Sequence, residues 1–388
     1  MSVRAVLESY GLAVAMFFGT FSWSFVYVSL PFHIKAISTV DATTTLRWTG
    51  WILGITPLVT VITAPVWGRF AERGDPKTLY VVVQTLQSVS FLGMAIARTL
   101  PELLLSRVVL GFMGASSTFA FISAGRSADA AAVRRQVATV QSAMTVGQVL
   151  GPLAGAIAAA RLGFRGSFVF GAVILLGCAL LVRWGVPSSR EGTAAVSTPR
   201  PARVRDVVSV ALLVLGGSTQ VFFLTSILPD ILPGLGIATG DTLEVGGILI
   251  FASGVAAAVG SLLARPLAEL MPERRLIPVL VLASSALIAG LAPVDSVWLY
   301  GGVRFLQVLC IAPVFPLVVA AIAQHAGGVA IGFINSARIG AAFLGPVIAT
   351  TVLAASSPSV LYLVLAAVGI ACLPLAAAGA TSPARRTR

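Results

Sequence analysis

The chain is poor in charge. Only 10% of its 388 residues are charged, whereas an average soluble domain carries roughly a quarter, and 57% are hydrophobic. A chain of this composition cannot cover itself with polar surface, so the sequence predicts that lipid is its solvent. The three cysteines lie inside apolar runs and form no disulfide framework, and the two distant histidines, His33 and His325, exclude a histidine-rich metal site.

Sequence motifs of catalysis are also missing. The chain has no Walker loop, no Ser/His/Asp order and no cluster of residues with metal-ligand spacing. We therefore expect a protein that is not an enzyme and that uses no cofactor and no metal.

Long apolar runs dominate instead. A membrane-spanning helix needs about 20 apolar residues, and the sequence contains about twelve such runs, at 11–34, 48–68, 78–97, 101–124, 137–160, 166–186, 207–229, 245–264, 275–293, 297–323, 331–354 and 358–379. The longest polar gap is rich in Pro, Ser, Thr and Arg, which is typical of a linker. The sequence thus predicts an all-α membrane protein with a six-helix bundle at 1–186, a cytoplasmic linker at 187–206 and a second six-helix bundle at 207–388.

The positions of the basic residues predict an orientation. Short loops rich in Lys and Arg stay in the cytoplasm, and one alternate set of loops holds most of the 26 basic residues. The opposite set holds only Lys35, Arg47, Arg98, Arg161 and Arg165. We therefore expect a multi-pass protein of the cytoplasmic membrane with both termini in the cytoplasm. Because the net charge of +12 is spread over loops at one membrane face, it does not indicate binding of nucleic acid.

The chain also repeats itself. The segment QSAMTVGQVLGP at 141–152 matches NSARIGAAFLGP at 335–346 without a gap, which places Gly151 and Gly345 194 positions apart, half the chain length. Two further pairs at nearly the same offset are Arg107 with Arg304 and Pro31 with Pro229. Three matches in the same order predict two similar bundles related by a pseudo-two-fold axis along the membrane normal, a common plan of transporters.

Three glycines of the first repeat segment share one helix face. Gly147, Gly151 and Gly155 are spaced by four, and small residues on one face let a neighbouring helix approach closely. Pro152 removes a main-chain hydrogen bond and bends the helix. The pattern alone is also compatible with an ordinary kinked, tightly packed helix.

The pattern G-x-x-x-G-P-x-x-G of this segment resembles the fifth-helix motif of the major facilitator superfamily, especially its twelve-helix drug/proton antiporter branch. The chain has Ala138 and Ala156 where the family motif has further glycines. The resemblance implies that the three glycines and Pro152, with Pro346 opposite, form a close-packed seam between the two halves that rock about a mid-membrane site.

The loop GRFAERGDPK at 68–77 is similar to the family's loop between the second and third helices, G-x-x-x-D-R-x-G-x-K. Glu72 takes the acid position, and Asp75 stands where the family has its second Gly. The resemblance implies a latch that stabilises the outward-facing state, formed by Gly68, Glu72, Arg73 and Lys77. The alternative is a short charged loop that obeys the positive-inside rule.

Arg107 begins RVVLGFMG, which resembles the family's fourth-helix motif R-x-x-x-G-x-x-G. A cation within a membrane span is costly and is functional by default. The resemblance implies a role in proton transfer or in holding the first helix, and the alternative is an arginine that extends towards the external interface.

The other intramembrane charges are Arg304 and Arg338, and no carboxylate lies mid-span. Because a proton antiporter needs a group that titrates against its cavity, the candidates for proton binding are His33 and Asp230. The arginines could instead suit an anionic or zwitterionic substrate.

Aromatic and amide side chains complete the candidate substrate cavity. Phe21 and Phe25 belong to an apolar stripe of the first run, which either faces a ligand or faces lipid. Buried amides in a membrane need partners, and a water-filled path would supply them. The polar candidates for the cavity are Gln141, Gln148, Gln220, Asn335, Arg304 and Arg338.

The sequence thus predicts a secondary active transporter. We expect it to be a monomer that exports a small amphipathic molecule from the cell by alternating access coupled to protons, with membrane lipid as its surroundings. Two alternatives stay open: an uptake or exchange carrier for an organic anion, which uses Arg107, Arg304 and Arg338, and a non-transporting sensor with the same fold.

Overall fold

The computed structural model of the chain describes residues 3–124, 130–186, 204–323 and 328–375. All regular structure in these ranges is helical. Within them, fourteen α-helices follow one another: α1 (Val3–Ile37), α2 (Ala42–Arg73), α3 (Pro76–Ile96), α4 (Leu100–Phe112), α5 (Ser116–Ala124), α6 (Ala130–Gly185), α7 (Val204–Phe222), α8 (Leu228–Ile231), α9 (Thr242–Leu270), α10 (Glu273–Ala289), α11 (Val297–Ile311), α12 (Val314–Ala323), α13 (Gly328–Ala355) and α14 (Pro358–Ala371). Short 3-10 turns at Leu224–Ile227 and Pro233–Leu235 flank α8.

The helices are long and apolar enough to cross a membrane, which confirms the predicted fold class. Ten segments of the described chain meet this criterion by length and composition. One of them, Arg135–Gly185, lies within α6, whose 56 residues are interrupted at Gly163, where φ is 72° and only glycine is unstrained. The 17-residue α10 is also apolar and is about 25 Å long. Counting α6 as two spans and adding α10 is consistent with twelve.

Side-chain caps fix several helix beginnings at the ends of the spans. Asp41 accepts a hydrogen bond of 2.9 Å from the Thr44 amide, and Thr99 accepts one from the Glu102 amide. A cap of this kind satisfies one of the amides that the first helical turn leaves without a partner. The Thr44 hydrogen bonds hold the pKa of the Asp41 carboxyl below its usual value, so this cap persists as the carboxylate in mildly acidic solution.

The chain divides into two compact units. The first comprises 1–196 and Gly240–Phe251, and the second comprises 197–239 and 252–388. The predicted linker at 187–206 falls mainly outside the described residues, but α7 already begins at Val204, so its last three residues are helical. The proposed bundle boundaries at 186 and 207 stay a prediction.

Each unit has its own apolar core. In the first, α1, α3, α4 and α6 contribute to a cluster that includes Phe25, Phe91, Leu103 and Phe168. In the second, α7, α10, α12 and α13 contribute to a cluster that includes Val214, Val281, Val318 and Ile334. The faces of the spans that do not pack into these cores remain available for contact with a substrate or with lipid.

Candidate functional site

The glycine row of α6 lies directly against the main chain of α1. A Cβ atom at Gly151 would stand 2.7 Å from the carbonyl oxygen of Phe21, and one at Gly155 would overlap the main chain of Phe25. Gly147 meets Phe17 of the same helix in the same way. The predicted close helix approach is therefore present, and it needs glycine because backbone occupies the space of a side chain.

The partner of this row corrects one expectation. The three glycines were expected to form a seam between the halves, but they pack on α1 within the first unit, whose main chain fills their face. Thr20 of α1 reinforces the contact by donating a 3.1 Å hydrogen bond to the carbonyl of Met144. The roles expected for Pro152 and Pro346 stay a prediction.

The second unit repeats the contact. A Cβ at Gly345 of α13 would lie 3.1 Å from the amide nitrogen of Phe223, just past the end of α7, as a Cβ at Gly151 would lie 3.0 Å from the amide of Phe25. Phe223 and Phe25 are separated by 198 positions, the same offset as the proline pair in the sequence. The internal repeat is therefore a repeat of helix packing as well as of sequence.

Arg107 is buried in α4 and bonds the main chain of α2. Only 2% of its side chain is exposed, and it donates hydrogen bonds to the carbonyls of Ile52 (3.1 Å) and Leu53 (3.2 Å). Pro57 has no amide hydrogen, so the Leu53 carbonyl lacks its normal donor four residues later. The arginine thus supplies the hydrogen bond that the proline removes, and its hydrogen bonds hold the second helix. A role in proton transfer or in holding the first helix stays a prediction.

Arg304 plays the corresponding part in the second unit. It is 1% exposed and donates hydrogen bonds of 2.7 Å to the carbonyls of Gln220 and Val221, in the last turn of α7. Carbonyls at a helix C-terminus have no helical donor and carry partial negative charge. The guanidinium also lies 4.7 Å from the ring centroid of Phe223.

A buried polar network surrounds this arginine. Gln220 donates to Ser285 and to the carbonyl of Leu365, each at 3.1 Å, and accepts from Ser284 at 2.7 Å. Ser284 in turn accepts from Gln307, which bonds Arg304. Gln220 and Arg304 were expected to line a substrate cavity. This expectation is wrong, because both are buried and their polar atoms join helices of the second unit.

Four of the predicted cavity residues are exposed on the spans. On α6, Gln141 and Gln148 lie two turns apart, and on α13, Asn335 and Arg338 lie about one turn apart. Gln141 and Asn335 occupy equivalent positions of the two repeat segments. These two exposed faces are here called the polar rows. That they face water, as we expect because amides and a guanidinium avoid hydrocarbon, stays a prediction.

The aromatic stripe of α1 divides between core and surface. Phe25 was expected to face a cavity, but it is 1% exposed and its ring packs 5.7 Å from the Phe170 centroid. Phe21 is half-buried, 5.6 Å from Phe25, and stays a candidate. Phe25 is drawn into the core because Gly151 and Gly155 bring α6 onto its main chain.

The two candidate proton-binding residues lie in contrasting surroundings. His33 is 3% exposed, and its ring contacts Phe164 and Phe168 at centroid distances of 5.5 and 5.2 Å. No group within the described residues hydrogen-bonds its Nε2 atom. Asp230 lies in α8, where α7 has already given way to a 3-10 turn, and its side chain is exposed.

The loop at 68–77 has a clear local structure. α2 ends at Arg73, and Asp75 caps α3 by accepting from the amide (3.1 Å) and hydroxyl (2.8 Å) of Thr78. This explains the departure from the family motif, since an aspartate cap replaces a flexible glycine. Gly68 has open space around it, and Lys77 lies in the first turn of α3. The side chains of Glu72 and Arg73 lie outside the described residues.

Sequence reasoning missed the partners of the arginines. Every residue has a main-chain carbonyl, so the sequence does not show which carbonyls accept a hydrogen bond from Arg107. Ile52 and Leu53 could therefore not be predicted as its partners. Pro57 was a usable signal, since a proline inside a span frees the carbonyl four residues before it. The serine pair Ser284 and Ser285 in an apolar run was a second signal, because buried hydroxyls need partners.

Comparison with known proteins gives the family. The sequence model of the Major Facilitator Superfamily matches residues 12–242, more than half of the chain. The uncharacterized MFS-type transporter YuxJ of Bacillus subtilis (strain 168) is 26% identical over 348 residues, which cover 86% of this chain and 88% of that protein. The multidrug resistance protein MdtG of Citrobacter koseri is 29% identical over 307 residues, which cover 74% of this chain and 72% of that protein.

Solved structures show the same fold. The crystal structure of the nucleoside transporter NupG aligns with a TM-score of 0.75 over 98% of this chain and 100% of that chain, at 10% identity. Helical spans, duplicated packing and the family match agree on a membrane transporter and not an enzyme. The chain belongs to the Major Facilitator Superfamily.

Proposed function

We propose that the chain exports a small amphipathic molecule across the cytoplasmic membrane by alternating access, driven by protons moving inward. It acts as a monomer with both termini in the cytoplasm. In the first unit the substrate meets the polar row of α6, and the half-buried ring of Phe21 offers an apolar contact.

The observation that carries this proposal is the packing of the α6 glycine row on α1. The same row, followed by Pro152, is the motif that resembles the drug/proton antiporter branch, and here each of its glycines is required by contact with α1. A relative named as a multidrug resistance protein, 29% identical over 307 residues, supports the same branch.

Proton coupling needs a group that changes charge during the cycle. Within the described spans the candidates are few, because the acidic residues stand near the span ends. Asp230 is exposed in the short helix α8, which follows the 3-10 turn beyond the end of α7, so a change of its charge would act at a break between helices. His33 is the other candidate, and it is buried against the rings of Phe164 and Phe168.

Flux in proteoliposomes tests the proposal. An amphipathic fluorescent dye should move against its gradient when a pH difference is imposed, and a protonophore should stop this movement. Asp230→Asn should abolish pH-driven transport while leaving dye exchange between two dye-loaded compartments intact. Dye movement that is equal with and without the pH difference would refute proton coupling, and no flux of any dye in either mode would favour the sensor alternative.

An uptake or exchange carrier for an organic anion has one observation in its favour. Arg107 and Arg304 bond main-chain carbonyls and are buried, which leaves them poor partners for a ligand. Arg338 is exposed on the polar row of α13. Import of an organic anion that persists without any ion gradient would support this function over export.

A further inference from the structure

Arg338 is an exposed arginine inside a described membrane span of the second unit. It lies on α13 within the apolar segment Gly332–Ala355, and its guanidinium stands 4.9 Å from the ring centroid of Phe315. A cation in a span is costly unless a partner or water offsets its desolvation. Its position therefore requires an explanation that packing alone does not give.

The buried span arginines show what a structural partner looks like. Arg107 and Arg304 each bond two main-chain carbonyls and are almost fully buried. Arg338 has no hydrogen bond and no carboxylate partner among the described residues; its contact is the face of Phe315. The equivalent position of the first repeat segment holds Met144, so this positive charge occurs in the second half of the chain and is not part of the repeated sequence pattern.

The surroundings of Arg338 suit an oxyanion. The ring of Phe315 restrains the guanidinium of Arg338. A guanidinium that keeps N–H groups available can bind a carboxylate or a related oxyanion through two parallel hydrogen bonds. Asn335 lies about one turn before Arg338 on the same exposed row and adds an amide donor within reach of the same anion. Phe315 itself supplies an apolar surface beside the charge.

We propose that Arg338, oriented by Phe315 and assisted by Asn335, binds the oxyanionic group of an amphipathic organic acid, which is the substrate class of this transporter. The statement that the acid is transported rests on the proposed function, whereas the statement that Arg338 binds the acid does not. The headgroup of an anionic lipid carries an oxyanion of the same kind, and the experiment distinguishes an organic acid from a lipid headgroup.

Thermal unfolding of the purified full-length protein in detergent measures the binding. The probes are 1-naphthoate and 1-naphthamide, which share a ring and differ in charge. Naphthoate should raise the unfolding temperature of the wild type in a saturable manner and naphthamide should do so much less. Arg338→Gln should weaken naphthoate binding about tenfold to a hundredfold, and Arg338→Lys should weaken it less. Phe315→Leu should give an intermediate loss.

The matched control is Arg265→Gln. Arg265 is an exposed arginine on α9 that pairs with Glu269 at 3.2 Å, so this variant removes the same charge away from the polar row and should bind naphthoate as the wild type does. Equal stabilisation by the two probes, or naphthoate binding that survives Arg338→Gln, would overturn the proposal.

Nanodiscs decide between transported anion and lipid headgroup. In discs of phosphatidylcholine alone, naphthoate binding should be retained, and added phosphatidylglycerol should not compete with it. Competition by phosphatidylglycerol that depends on Arg338 would assign the site to lipid and overturn the substrate class. Transport of cationic dyes without any binding of naphthoate would contradict this inference and leave the proposed function standing. Binding of naphthoate through Arg338 without transport of any compound would contradict the proposed function alone.

Discussion

Arg107 donates a 3.2 Å hydrogen bond to the carbonyl of Leu53, the carbonyl that Pro57 deprives of its helical donor. The arginine and the proline lie on different helices, and this hydrogen bond joins the carbonyl that the proline frees to a donor that the arginine buries. A buried carbonyl and a buried guanidinium would each be costly alone.

A double-mutant cycle tests this dependence. Arg107→Met should lower the free energy of unfolding in mixed micelles by about 1–3 kcal/mol, because buried acceptors lose their donor. In a Pro57→Ala background the loss should be smaller by roughly 1 kcal/mol, since an alanine at this position restores the helical donor to Leu53. Additive effects of the two substitutions would show that the proline does not determine the arginine's partner.

Substitution of the packed glycines should separate insertion from transport. Gly151→Leu and Gly345→Leu place side chains where the main chains beside Phe25 and Phe223 already lie, at a cost of about 1–3 kcal/mol or more. We expect normal membrane insertion and loss of flux in proteoliposomes.

Gly177→Leu is the matched control for Gly151→Leu. Gly177 lies in the second span of α6, past the interruption at Gly163, and no neighbouring side chain or other helix comes within 4 Å of its Cβ position. This variant should transport normally. Transport by Gly151→Leu at the level of the control would remove the glycine row from the mechanism.

The Gln220 network should behave as structure and not as a substrate site. Gln220→Leu removes the hydrogen bonds to Ser284, Ser285 and the Leu365 carbonyl, so the free energy of unfolding should fall by about 1–3 kcal/mol. Transport of chemically different dyes should fall in equal proportion. Gln148→Leu on the exposed polar row is the comparison, and it should change the ratio between dyes with little effect on stability.

Loop labelling tests the parallel duplication. Arg69, Arg98 and Arg265 are exposed, and the native Cys178 and Cys372 are buried. A membrane-impermeant maleimide should reach Arg69→Cys and Arg265→Cys from the cytoplasmic side and Arg98→Cys from the opposite side. Labelling of positions 69 and 265 from different sides would contradict the predicted topology.

The sequence of this protein predicts its helical spans and its internal repeat better than it predicts which residues contact one another. Apolar runs of span length and the duplicated segments led to the all-α class, because both depend on composition and spacing alone. The spacing of Gly147, Gly151 and Gly155 predicted a close helix contact, but nothing in that spacing tells α1 from a helix of the other half.

Side-chain environment was less predictable. Gln220 and Gln148 are both amides in apolar runs, yet one closes a buried network and the other is exposed. The difference depends on whether hydroxyl and carbonyl groups of other helices come within reach, as Ser284, Ser285 and Leu365 do for Gln220. Such neighbours are set by tertiary packing and have no sequence signature of their own.

The contact between the α6 glycines and α1 also has an evolutionary consequence. Because Phe21 and Phe25 of α1 contribute main-chain atoms to this contact, a different residue at either position presents nearly the same surface to the glycines. A substitution on the glycine side instead places a side chain in space that α1 occupies. In the second copy, Ala341 and Ala349 stand where Gly147 and Gly155 stand in the first, so the central glycine, Gly151 or Gly345, is the position of this row that both copies share.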